Sequence, residues 1–555
     1  MFRVFVTILL AGVGCYGQVQ SAGAPSNSSA NQSTAGGPKA EISGQVLDAA
    51  TGEPLKKTWV TARILEKGGR SGSTAVTDGQ GHFLVKDLDP GRYMLGAQRN
   101  GYVTQMYGQR NAGEQGTTIS ISPGQKLTDI TFRLVQGGVI SGRIVDEDSE
   151  PLSRVQVQAL QFRYMQGRRR LMPLGNATSD DRGEYRIFGI RPGQVYIRAT
   201  LRGFGPVEGV DPSAPSETTS YPPVFYPNVT EASQASPLTV RGGDELRADF
   251  SMSPQRSYAV SGRIVGGTSG RGAWLMLVKR GENEFNFGRG PNSNAREDNT
   301  FTFKQVLPGS YNLIAQQEDD KDPASGRIEV EVREGDVQGL VVPLSPKVEV
   351  AGRVIFEAAA PSAKLSSVQI SLSPEDAQDF MRGAYGHAKD DGSFTLQAAA
   401  DERYKIGSYG APAEMYLKSA TAGRDNVLEK GFSPATSRNL DLVFAPGAKL
   451  SGAISGADDK PDPGVTVVLV PERRLNGVAD RFRTGTTDQN GRYQLQGLRP
   501  GSYRVYAFEH LEPGAYEDDE WLKGFAERAH TLRVSESSQE TLDLKSIPLG
   551  SETQQ

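Results

Sequence analysis

The sequence has little of what disulfide-stabilised proteins and metalloenzymes rely on. Among its 555 residues there is one cysteine, Cys15, so no disulfide bond can form within the chain. This excludes the disulfide-dense class of small secreted proteins. A zinc peptidase of this kind needs a histidine followed three residues later by a glutamate. The chain has four histidines, and the residues three positions after them are Val85, Asp390, Pro513 and Arg533, so no such pair is present.

Other catalytic signatures are also missing. The sequence contains no Gly-x-Ser-x-Gly motif of a serine hydrolase and no phosphate-binding loop ending in Gly-Lys-(Ser/Thr). Two of the histidines, His82 and His510, follow a turn and a strand and are expected at the surface. We therefore expect a protein that is not an enzyme and that holds no metal and no cofactor.

A surplus of positive charge is lacking as well. Lys plus Arg number 61 against 65 for Asp plus Glu, a net charge of −4. Nucleic-acid binders usually carry a basic stripe, so no nucleic-acid partner is expected. The sequence has one basic cluster, Arg168–Arg170 with Arg163 nearby. We interpret it as the solvated end of a hairpin, with an anion-binding site as the alternative.

Long hydrophobic runs are confined to the start of the chain. The run Val4–Val13 follows Arg3 and is too short to span a bilayer, which is typical of a signal peptide over residues 1–17. Cys15 leaves a lipid anchor open, although bacterial lipoproteins usually have Leu where Gly12 stands. We expect a mature chain without a transmembrane span, secreted or in the cell envelope (periplasm or cell surface).

What the sequence does contain is glycine, proline and repetition. There are 65 glycines and 32 prolines, as expected of many short strands joined by turns. Five segments, 90 to 120 residues apart, open with an apolar-x-Gly-x-apolar motif. Their glycines are Gly44, Gly142, Gly262, Gly352 and Gly452.

A second signature follows in each repeat: an aromatic residue, then a Pro-Gly pair seven residues on. The pairs begin at Pro90, Pro192, Pro308 and Pro500, and the fourth repeat has Asp401-Glu402 instead. Two residues before the aromatic stands a glycine, or Asn299 in the third repeat, which suits a tight turn with positive φ. Upstream aspartates are expected to cap these turns: Asp78, Asp180 and Asp488. Weak calcium binding by these turns stays a second interpretation, because a complete calcium loop needs more ligands.

Alternating apolar residues between the turns predict about seven short strands in each repeat. The fold class is therefore all-β, a tandem array of five antiparallel β-sandwich domains with little helix. Residues 18–40 are predicted to be a flexible linker and 550–555 a tail. The predicted units are residues 41–136 (unit 1), 137–255 (unit 2), 256–346 (unit 3), 347–446 (unit 4, degenerate) and 447–549 (unit 5).

The motifs Ser-Gly-x-Val, Asp-x-x-Gly-x-(Phe/Tyr) and Leu-x-Pro-Gly-x-Tyr resemble the carboxypeptidase regulatory-like domain. Units 1, 2 and 5 match well, unit 3 in part and unit 4 mainly in register. The resemblance implies a transthyretin-like sandwich, grouped with Cna-B-like and carbohydrate-binding-like folds, and an accessory role without catalytic residues. Cna-B-like domains often carry a Lys–Asn isopeptide bond promoted by a Glu. Here that position holds Ala97, Ala199, Ala315, Ser408 or Ala507, so no such bond is expected.

Aromatic residues follow the Pro-Gly strand in most units and form the candidate site. They either bind a sugar or protein partner, or cover the end of a sandwich and pack between units, which we favour. In unit 5, Trp521 and Phe525 are predicted on a short helix with an acidic first turn. The possible ligand-binding residues are Tyr102, Tyr107, Tyr221, Phe225, Tyr226, Tyr516 and Trp521; Tyr409, Tyr416 and Phe525 accompany them.

The sequence thus predicts an exported, non-catalytic, multidomain binding or structural protein. Its partner would be an extracellular or envelope protein or a polysaccharide. The alternative is a carbohydrate-binding array that uses the aromatic segments, and a peptidase accessory subunit is a third hypothesis. The plug of an outer-membrane transporter is disfavoured, because no barrel strands follow the repeats.

Overall fold

The computed structural model describes most of the chain beyond its N-terminal segment. The predicted signal peptide, Cys15 and most of the predicted linker lie outside the described residues. These are 38–65, 72–110, 113–114, 116–165, 167–201, 219–267, 272–281, 290–318, 323–358, 364–375, 382–472 and 482–549.

Unit 1 forms two facing sheets around one core. The sheets run β4-β1-β8 and β3-β2-β5-β6, and β7 also pairs with β5. Ile42, Val60, Leu95 and Phe132 are fully buried between them. The strands are β1 (Ala40–Asp48), β2 (Trp59–Ile64), β3 (Gly72–Val76), β4 (His82–Leu88), β5 (Gly91–Gln98), β6 (Gln105–Met106), β7 (Thr118–Ile121) and β8 (Lys126–Leu134).

Unit 2 repeats this plan with a longer hairpin. Its sheets run β12-β9-β17, with β18 also on β9, and β11-β10-β13-β15, with β16 also on β13. The basic cluster lies at the end of the β10–β11 hairpin, as predicted, where Met165 pairs with Arg168. The strands are β9 (Gly138–Val145), β10 (Val155–Met165), β11 (Arg168–Thr178), β12 (Glu184–Ile190), β13 (Gly193–Leu201), β14 (Thr219–Ser220), β15 (Val224–Phe225), β16 (Leu238–Val240), β17 (Glu245–Arg247) and β18 (Phe250–Ser251).

Units 3 and 4 share a continuous sheet. It runs β22-β21-β24-β25-β27-β34-β32-β33, with β30 also on β27. The two units are joined where β25 pairs with the start of β27, and the Lys347 N–H of unit 4 donates to the Pro323 carbonyl of unit 3 at 2.6 Å. The other sheets are β23-β20-β26 and β29-β28-β31.

The elements of units 3 and 4 are β19 (Gln255–Arg256), β20 (Tyr258–Val265), β21 (Trp274–Lys279), β22 (Asn292–Asn294), β23 (Thr300–Val306), β24 (Gly309–Gln317), β25 (Ala324–Val332), β26 (Val337–Pro343), β27 (Ser345–Phe356), β28 (Gln369–Pro374), β29 (Ala384–His387), β30 (Ser393–Ala399), β31 (Tyr404–Tyr409), β32 (Met415–Ala422), β33 (Asp425–Asn426) and β34 (Asp441–Pro446). At the boundary with unit 2, β19 pairs with β14.

Unit 5 has sheets β38-β35-β41, with β42 also on β35, and β37-β36-β39-β40. Its elements are β35 (Ala448–Ser455), β36 (Thr466–Pro471), β37 (Arg483–Thr486), β38 (Arg492–Leu498), β39 (Gly501–Phe508), α1 (Asp519–Lys523), β40 (His530–Val534), β41 (Gln539–Thr541) and β42 (Leu544–Lys545). Single 3₁₀ turns lie at Ala232–Gln234, Leu365–Ser367, Ala515–Glu517 and Ala526–Arg528.

The all-β sandwich class is confirmed, and the sheets add a feature that the pattern did not predict. In every unit the first strand pairs in parallel with a strand near the end of the unit, as β1 does with β8 and β35 with β41. The sandwiches are therefore mixed rather than purely antiparallel. Alternation defines which residues face a core but not the direction of the neighbouring strand.

The parallel pair explains the glycine that opens each repeat. A Cβ on Gly44 would overlap the carbonyl oxygen of Ile130 on β8, and one on Gly452 would overlap that of Leu542. The other three opening glycines meet a carbonyl of the closing strand in the same way. A side chain at this position cannot be accommodated without moving the strand.

The predicted turns are confirmed. Gly81, Gly183 and Gly491 have φ near +70°, and Asn299 has φ 63°. In unit 1 the Asp78 carboxylate accepts hydrogen bonds from the backbone N–H groups of Gln80 and His82 at 2.9 and 2.8 Å. Asp180 and Asp488 make the equivalent pairs.

Unit 4 replaces its Pro-Gly turn with an ion pair. The guanidinium of Arg382 contacts both Asp401 and Glu402, the latter at 3.0 Å, and the Arg382 side chain is almost fully buried. The Tyr404 hydroxyl donates to the Arg382 carbonyl at 3.0 Å. These contacts hold the register of the repeat where the Pro-Gly pair is lost.

Candidate functional site

The aromatic residues of unit 1 lie against their own sandwich. The Tyr102 hydroxyl donates to Asp48 Oδ2 at 2.8 Å, and burial with this bond raises the pKa of Tyr102. The Tyr107 ring meets the Phe132 ring edge-on, with centroids 6.1 Å apart. Both rings are half-buried and close one end of the core.

The aromatic segment of unit 2 covers the outer face of its sheet and the end of its core. Phe225 is 3% exposed and lies over the guanidinium of Arg198, whose Nη2 donates to Gln158 Oε1 at 2.7 Å. Tyr226 meets Phe250 edge-on at 6.4 Å. Tyr221 is half-buried against the same core, and burial raises the pKa of its hydroxyl.

The two tyrosines of unit 4 have opposite environments. Tyr416 is 4% exposed and packs beneath Arg499 of unit 5, whose guanidinium lies 5.2 Å from the ring centroid. Arg499 also donates to the Lys418 carbonyl of unit 4 at 3.2 Å. Tyr409 ends β31 and is 59% exposed.

The aromatic segment of unit 5 folds back over its own sheet. Phe508 stacks on Tyr506 with centroids 5.6 Å apart, and Trp521 and Phe525 cover it at 5.3 and 5.2 Å. Tyr516 packs on the edge of the same cluster. Only Trp521 lies on helix α1, so the prediction of Phe525 on this helix was wrong: the helix ends at Lys523.

Asp518 is the N-cap of this helix. Its carboxylate accepts from the backbone N–H groups of Glu520 and Trp521 at 2.9 and 3.4 Å. The first turn carries Asp519 and Glu520. A carboxylate cap satisfies N–H groups that have no partner within the helix.

Unit 5 also contacts unit 1, more than 350 residues away in the chain. The Gln489 side chain donates to the Ser120 carbonyl at 2.9 Å and accepts from the Ser120 N–H at 3.0 Å. The Ser120 hydroxyl donates to Asp488 Oδ2 at 3.1 Å. Gln489 therefore satisfies both backbone groups of a residue in strand β7, as a neighbouring strand would.

Charged side chains surround this contact. Arg110 of unit 1 pairs with Asp462 and, at 3.7 Å, with Glu509 of unit 5. His510 Nδ1 lies 3.5 Å from Glu114 Oε2 of unit 1. His510, expected at the surface, is partly buried by this contact, and its side chain is 26% exposed. His82 is exposed as expected.

Unit 2 contributes the end of its long hairpin to the same region. Tyr164 of β10 packs against the aromatic cluster of unit 5, and a Cβ on Gly514 would lie 2.9 Å from the Tyr164 carbonyl oxygen. Burial raises the pKa of the Glu512 carboxyl, against the opposing influence of Arg169 and Arg163. Burial also lowers the pKa of Arg191 in unit 2 to about 10.

Sequence reasoning found the aromatic residues and the turn of Asp488, but not the contact between units 1, 2 and 5. Arg110, Ser120 and Asp462 belong to no repeat motif, and Gln489 fills a variable position of the turn at Asp488. The longer β10–β11 hairpin was the one signal available, because it carries Phe162 and Tyr164 beyond the length that the other units use. Whether the predicted aromatic residues bind a ligand stays a prediction.

Two further observations concern the described part of the chain. Within it, no group of three or more His, Cys, Asp or Glu side chains is placed to hold a metal ion. Among the helices described there, none has the length and apolar character needed to cross a membrane.

Comparison with known proteins identifies two of the units. The model of the carboxypeptidase regulatory-like domain matches residues 41–135 and 139–253. No curated protein matches the sequence.

Solved structures resemble the chain at low identity. The Bacillus anthracis TIE protein is 13% identical over 56% of this chain and 51% of its own, with a TM-score of 0.15. This chain thus spans about half of that protein. The minor pilin GBS52 of Streptococcus agalactiae is 13% identical over 39% of this chain and 96% of its own (TM-score 0.22). The major pilin subunit BcpA of Bacillus cereus is 10% identical over 55% and 99% (TM-score 0.14).

Proposed function

Since units 1 and 2 are carboxypeptidase regulatory-like domains, we propose that this protein is an exported, non-catalytic structural protein whose five sandwich units pack into a closed array. Each unit would be one domain, with the boundaries that the repeats predict. The array would act outside the cytoplasm, in the envelope or beyond it, as the N-terminal signal-peptide pattern predicts.

The observation that carries this proposal is the reciprocal pairing of Gln489 with the backbone of Ser120. It joins the last unit to the first, while Lys347 with Pro323 and Arg499 with Tyr416 join neighbouring units in between. Most aromatic residues of the candidate site serve such contacts or cover a core. A repeat protein in which each unit touches only its neighbours would be open and flexible, whereas contact between its ends makes it compact.

Cross-linking tests the closed array directly. In the mature chain, Ser120→Cys combined with Gln489→Cys should form an intramolecular cross-link with a short bis-maleimide, seen as a peptide pair by mass spectrometry. Each single-cysteine variant and the denatured double variant are the controls. Cross-links found only between molecules would contradict the proposal.

A second candidate function is saccharide binding. It is favoured by a separate observation, the exposure of Tyr409 together with Tyr385 on one sheet face of unit 4. A peptidase accessory role has no comparable observation in its favour.

A further inference from the structure

The outer face of the sheet β29-β28-β31 in unit 4 carries two exposed tyrosines. Tyr385 on β29 pairs with Ser371 on β28, which pairs with Gly407 on β31. In the next row His387, Gln369 and Tyr409 are paired in the same order. Because residues two apart share a face, all six positions lie on one side of the sheet.

The two rings stand at opposite edges of a low surface. Tyr385 is 61% and Tyr409 59% exposed, and they lie on the two outer strands. Two strand spacings and one two-residue step place their Cα atoms about 12 Å apart. Between them Gly407 has no side chain, and a Cβ there would lie 2.5 Å from the Ser371 hydroxyl oxygen. The rings therefore flank two small residues, Ser371 and Gly407, which are themselves buried, so the exposed surface of this face is provided by the two rings.

In unit 5 the equivalent sheet face is covered by another part of the same unit, which allows the residues at the paired positions to be compared. There Val468 pairs with Tyr506, and Thr466 with Phe508, in the register of Ser371 with Gly407 and Gln369 with Tyr409. Val468, Tyr506 and Phe508 are fully buried beneath the segment that contains α1. In unit 4 the corresponding positions carry hydroxyl, amide and imidazole groups, and the rings of Tyr385 and Tyr409 stay exposed.

The charges of the outward-facing residues indicate which class of ligand this face can bind. The outward-facing residues of β28, β29 and β31 are all described, and none is acidic: Gln369, Ser371, Ser373, Tyr385, His387, Lys405, Gly407 and Tyr409. Beyond the end of β28, Glu375 lies 3.5 Å from Arg403. The face thus carries one cationic side chain, Lys405, and no acidic one.

We propose that this face binds an acidic polysaccharide. Tyr385 and Tyr409 stack on two sugar rings of one chain, because an exposed tyrosine offers an apolar ring face and a polar hydroxyl. Gln369 hydrogen-bonds to sugar hydroxyls, and Lys405 pairs with a carboxylate of the polymer. This binding goes beyond the closed array and does not depend on it, since none of these residues takes part in the contact of unit 5 with unit 1.

Affinity electrophoresis of the mature chain tests this site, with alginate, a polyuronate, as the acidic probe and hydroxyethylcellulose as the neutral one. Alginate should retard the protein and hydroxyethylcellulose should not. Tyr385→Ala with Tyr409→Ala should weaken the affinity for alginate about tenfold, the effect of losing two aromatic contacts. Lys405→Gln should weaken it less and reduce its dependence on salt.

Phe188→Ala is the matched control, because Phe188 of unit 2 is 75% exposed on a strand away from this face. It should leave the affinity unchanged. Absence of retardation by alginate, or equal retardation of the double tyrosine variant, would overturn the proposal. Equal retardation by hydroxyethylcellulose would overturn the assignment of an acidic ligand. Self-association in sedimentation velocity that the double variant abolishes would assign the face to a second copy instead.

Discussion

The outer sheet faces of units 4 and 5 share one backbone register and differ in what covers them. In unit 5, Phe508 is fully buried under Trp521 and Phe525. In unit 4, Tyr409 occupies the equivalent position and is 59% exposed. The strand that ends in each of these residues pairs antiparallel with the corresponding earlier strand, β31 with β28 and β39 with β36.

The difference arises from the segment that follows the paired strand. In unit 5 it returns across the face and forms α1. In unit 4 it crosses to the other sheet, where β32 pairs with β34 and Leu417 enters the core. The strand pairing of the sandwich is therefore the same in both units. The path of the segment that follows the paired strand determines whether the outer sheet face is buried or exposed. Full burial of one aromatic side chain stabilises by about 1.5–3 kcal/mol, so the choice has a measurable consequence.

The largest contrast is expected from truncating the two equivalent aromatic residues. Phe508→Ala should lower the free energy of unfolding of unit 5 by about 3–5 kcal/mol, because it leaves a cavity beneath Trp521. Tyr409→Ala should change that of unit 4 by less than about 0.5 kcal/mol, as for an exposed residue. Hydrogen exchange of the mature chain, read by mass spectrometry, measures both. Similar losses in the two units would show that the unit 4 face is covered as well.

Substituting the opening glycine should destabilise units 4 and 5 equally, because both units pair their first strand in parallel with the closing strand. Gly452→Ala and Gly352→Ala should each cost about 3 kcal/mol, since the new methyl group would overlap a carbonyl oxygen of the closing strand. Gly335→Ala is the control, as no atom lies within 4 Å of the added Cβ. Denaturant melts compare the three. If the first two variants behave like the control, the parallel pairing is wrong.

Much of the fold could be predicted because its signals are local. The capped turn at Asp78 and Gly81 follows from the conformations that these residues prefer, and the alternation in Tyr93–Ala97 identifies a strand with one buried face. The repeat register also predicted that Asp401-Glu402 would replace a turn in unit 4. These signals depend on neighbours within a few residues.

What could not be predicted depends on residues far apart in the chain. The direction of the β1–β8 pair has no local signature, although its glycine was found as a motif. The pairing of Gln489 with Ser120 joins positions that no repeat relates, and a surface glutamine carries no sign of its partner. The exposure of Tyr385 and the burial of Phe508 depend on the course of an insertion rather than on the strands.

The cover of the unit 5 face should loosen when its helix loses its cap. Asp518→Ala removes the acceptor of two backbone hydrogen bonds at the start of α1 and should cost about 1 kcal/mol. Faster hydrogen exchange should appear in α1 and in the Trp521 region, while unit 4 stays unchanged. Asp518→Asn keeps an acceptor and is the control. Equal exchange in the alanine and asparagine variants would mean that packing alone holds the helix.

The smallest effect concerns Glu512, where the cover of unit 5 meets unit 2. Burial raises the pKa of its carboxyl above the ordinary value of 4.5. Between that value and the raised pKa, the folded chain holds a proton that the unfolded chain has lost. The free energy of unfolding therefore falls as the pH rises through this interval and stays lower above it.

Glu512→Gln removes this dependence while keeping an acceptor for the Tyr164 N–H. The variant should match the wild type below pH 4.5 and become the more stable of the two as the pH rises, by less than the effect of the Asp518 cap because Arg163 and Arg169 already offset the buried charge. Thermal melts across this range measure the difference. Glu527→Gln, at an exposed position of the same segment, should show no such change. A variant that is less stable at neutral pH would mean that attraction to the arginines outweighs the cost of burial.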